Sequence, residues 1–350
     1  MVEELPDGLK VGLNVSVMTL CAPSLSRRSW LAGAGAWMLW TGLSPAAKAA
    51  PLLTPLTMQL DWQLTTQFAG LMVAESTGLY RQRGLTVTLK PATAGLSIPE
   101  KVAADPTMLG CVEQSILLAA QAQGVKVSAI ATMLQSSPLA LISPPSAPLK
   151  TPQDLIGKRI GLHEDGLKAL DLILTQNGID PQRVRRTLMP YGQTFEPLTT
   201  QRFDAIQCYA LDEPLDYRRQ TGLEPVILKF SDYGFDAYAQ VIIASDPLLA
   251  EAPDTVQAFL AATFAGWQQA LADIPATARL ITQRYADSNV PDIAYQAQTL
   301  QRLRPYVLPN QAKPGTLSPT RWQRAAQQLA DCGLIDTVPA RSLWSQAWTA

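Results

Sequence analysis

The sequence predicts an α/β protein with mainly parallel sheets, and three observations carry that expectation. Short apolar runs with strand-type alternation or β-branched centres are each followed by a segment with helical spacing. The helical segments tend to close on glycine, at Gly78, Gly124, Gly157 and Gly178, the residue that most easily ends a helix. The alternation runs from Leu56 to Ala244 without a short tandem repeat.

The N-terminal part stands outside that pattern. Ser26-Arg27-Arg28-Ser29-Trp30-Leu31 is followed by a small-residue apolar run and by Ala47-Lys48-Ala49. An arginine pair, an apolar segment and an Ala-x-Ala site together read as an export signal of the twin-arginine type. The run from Trp30 to Leu43 is shorter than the ~20 residues a spanning helix needs. Residues 1–49 are therefore expected to be an upstream extension before Met18 plus a cleaved signal. No lipobox cysteine precedes the cleavage site. The mature chain, ~300 residues, suffices for one two-lobed domain or two ordinary ones.

The elements follow in order. Leu56–Leu60 alternates as a strand and ends at Asp61-Trp62; Phe68–Thr77 reads as a helix. Leu85–Leu89 is a second strand, Met108–Cys111 a third, Ser115–Gln123 a helix, and Val125–Leu134 an apolar strand. Pro138, Pro144, Pro145, Pro148 and Pro152 change the texture after Leu139–Ile142, and this stretch is read as a crossover out of the first lobe. Thr151-Pro152-Gln153-Asp154 is a helix start, with a capping hydroxyl, proline at the first position and an acid in the first turn. Lys158–Leu162 is a strand, Leu167–Asn177 a helix, and Phe203–Tyr209 another strand. Ala239–Ala244 reads as the return strand. Behind Pro253-Asp254-Thr255, the residues Val256, Phe259, Leu260, Trp267 and Leu271 recur at helical spacing and are expected in the core.

Composition excludes several function classes. The net charge is −1 with 16% charged residues, and no basic patch favours nucleic acid. His163 is the single histidine, so multi-histidine metal sites are excluded and any histidine-dependent nucleophile must use it. It sits after a strand and is read as a polar loop residue. Cys111, Cys208 and Cys332 are widely spaced, form no Cys-x-x-Cys pair, and are expected to be small buried thiols.

Five segments in order carry a family resemblance: Leu60-Asp61-Trp62; Gly78-Leu79-Tyr80-x-x-x-Gly84-Leu85; Asp154-Leu155-Ile156-Gly157-Lys158-Arg159-Ile160-Gly161; Asp204-Ala205-Ile206-Gln207; and Ala252-Pro253-Asp254-Thr255-Val256-x-x-Phe259-Leu260. From residue 56 to residue 310 the chain resembles type II periplasmic solute-binding proteins, in the branch of sulfonate binders, thiamine-pyrimidine-precursor binders and the fungal thiamine-pyrimidine synthase. The resemblance implies two α/β lobes with a ligand cleft and two crossovers. Lobe 1 would be residues 50–145 plus 244–350, and lobe 2 residues 146–243. It also implies a periplasmic, monomeric protein that captures a small heteroaromatic nutrient, first of all a thiamine pyrimidine precursor, by lobe closure. ABC permease and ATPase subunits would be its partners, and no cofactor is implied. A sulfonate or another aromatic nutrient is the alternative. The synthase's histidine and lysine have no counterpart in Leu109–Ile116, nor its cysteine-rich run in Phe235–Ala239, which argues against that enzyme.

A flat ligand needs rings to stack on and polar groups to fix its edge. Trp62, where a strand yields to a helix, and Asp61 beside it are candidates. Glu213 resembles the acid that pairs with an aminopyrimidine edge and is favoured over Asp212; Tyr209 precedes it. Tyr191 and Gln193 form a polar-aromatic loop, Gln135 and Ser137 precede the crossover, and Tyr238 lies near the return. Glu164, with Asp165 and Gly166, stands where phosphate-binding members have a glycine-rich loop. Two carboxylates there favour a neutral or cationic ligand.

Overall fold

The computed structural model describes residues 52–348 except 94, 190–194, 286–291, 310–312 and 341. The expected export signal, Tyr191 and Gln193 lie outside the described residues. No helix among the described residues is long and apolar enough to cross a membrane.

Ten strands form two five-stranded sheets among the described residues. The first contains β1 (Thr54–Gln59), β2 (Leu85–Lys90), β3 (Met108–Val112), β4 (Val127–Leu134) and, from the far end of the alternation, a return strand. The second contains β5 (Leu139–Ser143), β6 (Arg159–Leu162), β7 (Arg185–Leu188), β8 (Ala205–Tyr209) and β9 (Val226–Lys229). The return strand is β10 (Ala239–Ser245). Spatial orders are β2-β1-β3-β10-β4 and β7-β6-β8-β5-β9, and within each sheet the strand brought from the other part of the chain runs antiparallel to its neighbours. This is the two-lobed α/β architecture expected.

Two local expectations change. Leu139–Ser143 is not coil at the edge of a crossover: β5 is buried along its whole length and pairs with β8 and β9 inside the second sheet. The chain changes sheets between Leu134 and Leu139, ahead of the proline-rich run instead of within it. The prolines after Ile142 punctuate the exit of a buried strand. β7 lacks any apolar alternation because it is an edge strand with largely exposed residues, Arg185 among them.

Helices cover both sheets. In chain order they are α1 (Ala69–Ser76), α2 (Ile98–Ala104), α3 (Gln114–Ala122), α4 (Glu164–Gln176), α5 (Glu196–Thr199), α6 (Glu213–Thr221), α7 (Asp246–Glu251), α8 (Pro253–Ala272), α9 (Ile274–Arg284), α10 (Ile293–Val307) and α11 (Pro319–Asp331). The start at Thr151 forms as expected. Asp154 Oδ2 accepts the Thr151 N–H at 2.9 Å, closing a capping box over a short 3-10 turn, Pro152–Leu155. Val256, Phe259, Leu260, Trp267 and Leu271 on α8 are all buried in the core.

α1 and α8 pack backbone against backbone. A Cβ at Gly266 would lie 2.2 Å from the Gly70 carbonyl oxygen, and one at Gly70 would lie 2.3 Å from the Trp267 ring. Neither contact can relax by swinging a flexible side chain. Gly266→Ala is expected to destabilise the protein by about 1–3 kcal/mol through overpacking. A thermal melt of this variant beside Ala265→Ser, on the same helix, checks it; equal melting temperatures would refute it.

Candidate functional site

Four strand ends converge between the sheets. β1 delivers Asp61 and Trp62, β3 delivers Glu113, β6 delivers His163 and the start of α4, and β8 delivers Tyr209 and the start of α6. Crevices beyond the carboxyl ends of parallel strands are where α/β folds place ligands. Two connected compartments occupy the cleft. The inner one, about 330 Å³, is walled by Trp62, Gln67, His163, Gln207, Tyr209 and Glu213. The outer one, about 550 Å³, is walled by Thr93, Leu96, Ser97, Glu113, Ile116 and Glu164 among others. Asp61 and Asp165 border both.

The inner wall is aromatic. The half-buried Trp62 ring meets the His163 ring edge to face, centroids 5.1 Å apart. His163 caps α4 and is only 5% exposed, not a solvated loop residue. Its Nδ1 hydrogen-bonds the Met189 carbonyl at 3.1 Å. A lone histidine after a strand carries no signal for that burial; the opposing Trp62 comes from the other sheet.

Gln207, on β8, organises the second sheet's side. Its Oε1 accepts the His163 N–H at 2.9 Å and its Nε2 donates to Asp165 Oδ1 at 2.8 Å. The carboxamide fits because residue 166 is glycine: a Cβ there would lie 1.9 Å from Gln207 Oε1. Asp165 thus faces the cleft, whereas Glu164 beside it is exposed at the outer rim.

Carboxylates dominate the electrostatics. Tyr209 joins the two sheets: its hydroxyl donates to Glu113 Oε1 at 2.6 Å and its N–H to Glu213 Oε2 at 2.5 Å. Ser137 adds a 3.3 Å hydrogen bond to the same Glu113 oxygen. Glu113 Oε2 is buried and accepts no hydrogen bond from a described residue. Burial pushes the Glu113 and Glu213 carboxyls well above the usual range, with Asp212 reinforcing the effect on Glu213. Burial and the neighbouring Asp165 raise Asp61 to about 7, against a thiol bond from Cys111 at 3.5 Å. Asp212 rises to about 6, chiefly through burial; Gln67 Nε2 donates to it at 3.4 Å. No lysine or arginine among the described residues lines either compartment. Among the described residues no group of three or more histidine, cysteine or acidic side chains could hold a metal.

The sequence candidates divide. Asp61, Trp62, Tyr209 and Glu213 come together at the inner compartment, and Glu164 borders the outer one. Ser137 supports Glu113 from behind. Gln135 is turned away: its Nε2 donates to the Thr316 carbonyl at 2.9 Å, and its own carbonyl accepts from Arg321 at 2.6 Å. Tyr238 is also outside the cleft. Its hydroxyl accepts the Ser318 N–H at 2.9 Å, and its ring lies between Arg321 and Trp322. Both are anchors for the C-terminal helix. Asp165 is legible only as the second carboxylate beside Glu164; Glu113 and Gln207 carry no site signal in the sequence, although Glu113 directly follows a fully buried strand, the position where a carboxylate points into a cleft.

A two-lobed α/β fold with a polar-aromatic cleft at its strand ends is the periplasmic-binding-protein architecture. The chain belongs to the NMT1/THI5-like family, whose match covers residues 65–278. The riboflavin-binding protein RibY of Chloroflexus aurantiacus is 27% identical over 301 residues, 83% of this chain and 85% of that protein. The 4-amino-5-hydroxymethyl-2-methylpyrimidine phosphate synthase of Legionella pneumophila is 28% identical over 131 residues, 37% of this chain and 42% of that enzyme. Among solved structures, the alkanesulfonate-binding protein SsuA of Xanthomonas axonopodis pv. citri, bound to MOPS, superposes with a TM-score of 0.66 at 17% identity, covering 83% of this chain and 98% of that one. The desulfurization enzyme DSZB superposes at 0.53 with 15% identity, covering 82% and 94%. These likenesses show the fold, and the fold serves binders and enzymes alike.

Proposed function

We propose that this protein is the periplasmic solute-binding component of an ABC importer and captures a flat nitrogen heteroaromatic nutrient by lobe closure. The observation that carries this reading is a cleft with aromatic walls, five acidic side chains lining it and, among the described residues, no cationic one. Such a surface suits a ring whose N–H or amino edge donates to carboxylates, with paired hydrogen bonds fixing orientation. It opposes a sulfonate, which needs donors and positive charge. A thiamine pyrimidine precursor has the required edge, and Glu213 is the acid assigned to it. Riboflavin is the second reading, favoured by the relative aligned over most of both chains. Binding without turnover is the role proposed, since the cleft's thiols are held protonated by burial: Cys208 in the inner wall and Cys111 beside Asp61 are both raised well above the usual thiol range.

Isothermal titration of the purified protein with 4-amino-5-hydroxymethyl-2-methylpyrimidine, riboflavin and an alkanesulfonate series tests the reading. One of the two heteroaromatics should bind, and Trp62→Ala should weaken it at least about tenfold, as loss of an aromatic contact of 0.5–1.5 kcal/mol plus buried area implies. Binding of alkanesulfonates alone would sink the proposal.

A further inference from the structure

We infer that the outer compartment is a charge filter: it admits the uncharged or cationic substituent of the bound ring and rejects the phosphate ester of the same molecule, with Glu164 as a specificity-determining residue. The inference deepens the heteroaromatic reading above and rests on it. Helix α4 starts at this compartment, and the N–H groups of a helix of its length would ordinarily form an anion site. Its first turn instead carries Glu164 and Asp165. Asp61 and Glu113 face the same space; burial favours the protonated form of Glu113, so at pH 8, above the value of about 7 for Asp61, the negative charge a phosphate would meet comes from Asp61, Asp165 and Glu164. Glu113 supplies an independent sign of a ligand, because its buried Oε2 takes no hydrogen bond from any described residue. A buried polar group in that state calls for a hydrogen-bonding partner from the ligand. The hydroxyl-bearing Thr93 and Ser97 line the same wall.

Nearby cations do not offset this field. Lys101 Nζ is turned to Gln59 Oε1 at 2.9 Å, and Lys168 Nζ to the Leu334 carbonyl at 2.7 Å. First-turn acids also stabilise a helix against its own dipole. That role alone would leave ligand discrimination untouched by their replacement, so the two accounts separate by experiment.

The test measures affinity, by titration calorimetry on the full protein, for two pairs of probes: riboflavin against riboflavin 5′-phosphate, and the hydroxymethylpyrimidine against its phosphate. At pH 8 the unphosphorylated member of the binding pair should be tighter by at least about tenfold, through repulsion of like charges at intermediate dielectric. In Glu164→Lys the ratio within that pair should shrink at least about tenfold on the same reasoning. Glu164→Gln should shrink it less, in proportion to the charge removed. Equal or tighter binding of the phosphorylated member overturns the filter while leaving the heteroaromatic reading intact. A ratio unmoved in both variants overturns the role of Glu164. Binding of neither pair overturns the heteroaromatic reading and the filter with it.

Discussion

Gly166→Ala is expected to remove ligand binding while leaving a folded but weakened protein. The new methyl group would lie 1.9 Å from Gln207 Oε1, the far end of a flexible side chain, so the carboxamide must swing away, into the inner compartment it walls. Displacing it breaks the hydrogen bonds to the His163 N–H and the Asp165 carboxylate together. Loss of buried hydrogen bonds at about 1 kcal/mol each, plus overpacking of about 1–3 kcal/mol, sets the stability loss. Affinity should fall by more than tenfold, because Asp165 and the His163–Trp62 ring pair lose their support at once. The double variant Gly166→Ala/Gln207→Ala separates the effects. It should recover part of the melting temperature, since the clash is gone, without recovering affinity. Recovery of both would mean that Gln207 has no part in binding.

Asp61→Asn should do the opposite to stability. The Asp61 carboxyl titrates at about 7 in the folded protein against an ordinary value of 3.8. The folded state therefore holds a proton that the unfolded chain has already released, and stability declines as pH rises from about 4 to 7. Each unit of raised pKa is worth about 1.4 kcal/mol. Asparagine removes that dependence. The variant should melt higher than the parent at pH 8, with the difference fading towards pH 4, where Asp61 is protonated in the folded protein. Glu113, Glu213 and Asp212, also raised by burial, leave a residual slope of the same sign in both proteins. The same substitution should weaken ligand binding at pH 8, since it removes the negative charge and turns one of the two acceptor oxygens shared by both compartments into an N–H donor. Gained stability with lost affinity is the signature of a site held in a destabilised state for its function. Melting curves across pH 4–8, with and without ligand, read both; a variant that melts lower at pH 8 would refute the account.

Much of this fold was legible in the sequence because hydrophobic periodicity is local. The strands β1, β2, β3, β6 and β8 announce themselves by alternation or buried apolar runs, and α8 by its stripe from Val256 to Leu271. β5 is hidden because the prolines after it signal a loop, while nothing in four apolar residues and a serine tells which sheet they enter. β7 was invisible because an edge strand needs no apolar face. Trp62, Asp61, Tyr209 and Glu213 could be picked out because ligands gather at strand ends, and strand ends can be located. Tyr238 and Gln135 also sit near crossovers, yet their partners lie on the segment from Thr316 to Trp322, far away in sequence.

By itself the sequence determined the α/β class, the order of its elements, the core stripe of α8 and the absence of histidine-based metal chemistry, all properties of residue type and spacing. Only the tertiary structure decided which side chains share a site. Glu113 from β3, Asp165 from α4 and Tyr209 from β8 meet because two sheets face each other across the cleft, and Gln207 reaches Asp165 only because Gly166 leaves it room. Those contacts span 42 to 96 positions along the chain. The raised carboxyls belong to the same category, since burial and charge proximity exist only once the lobes have closed over them.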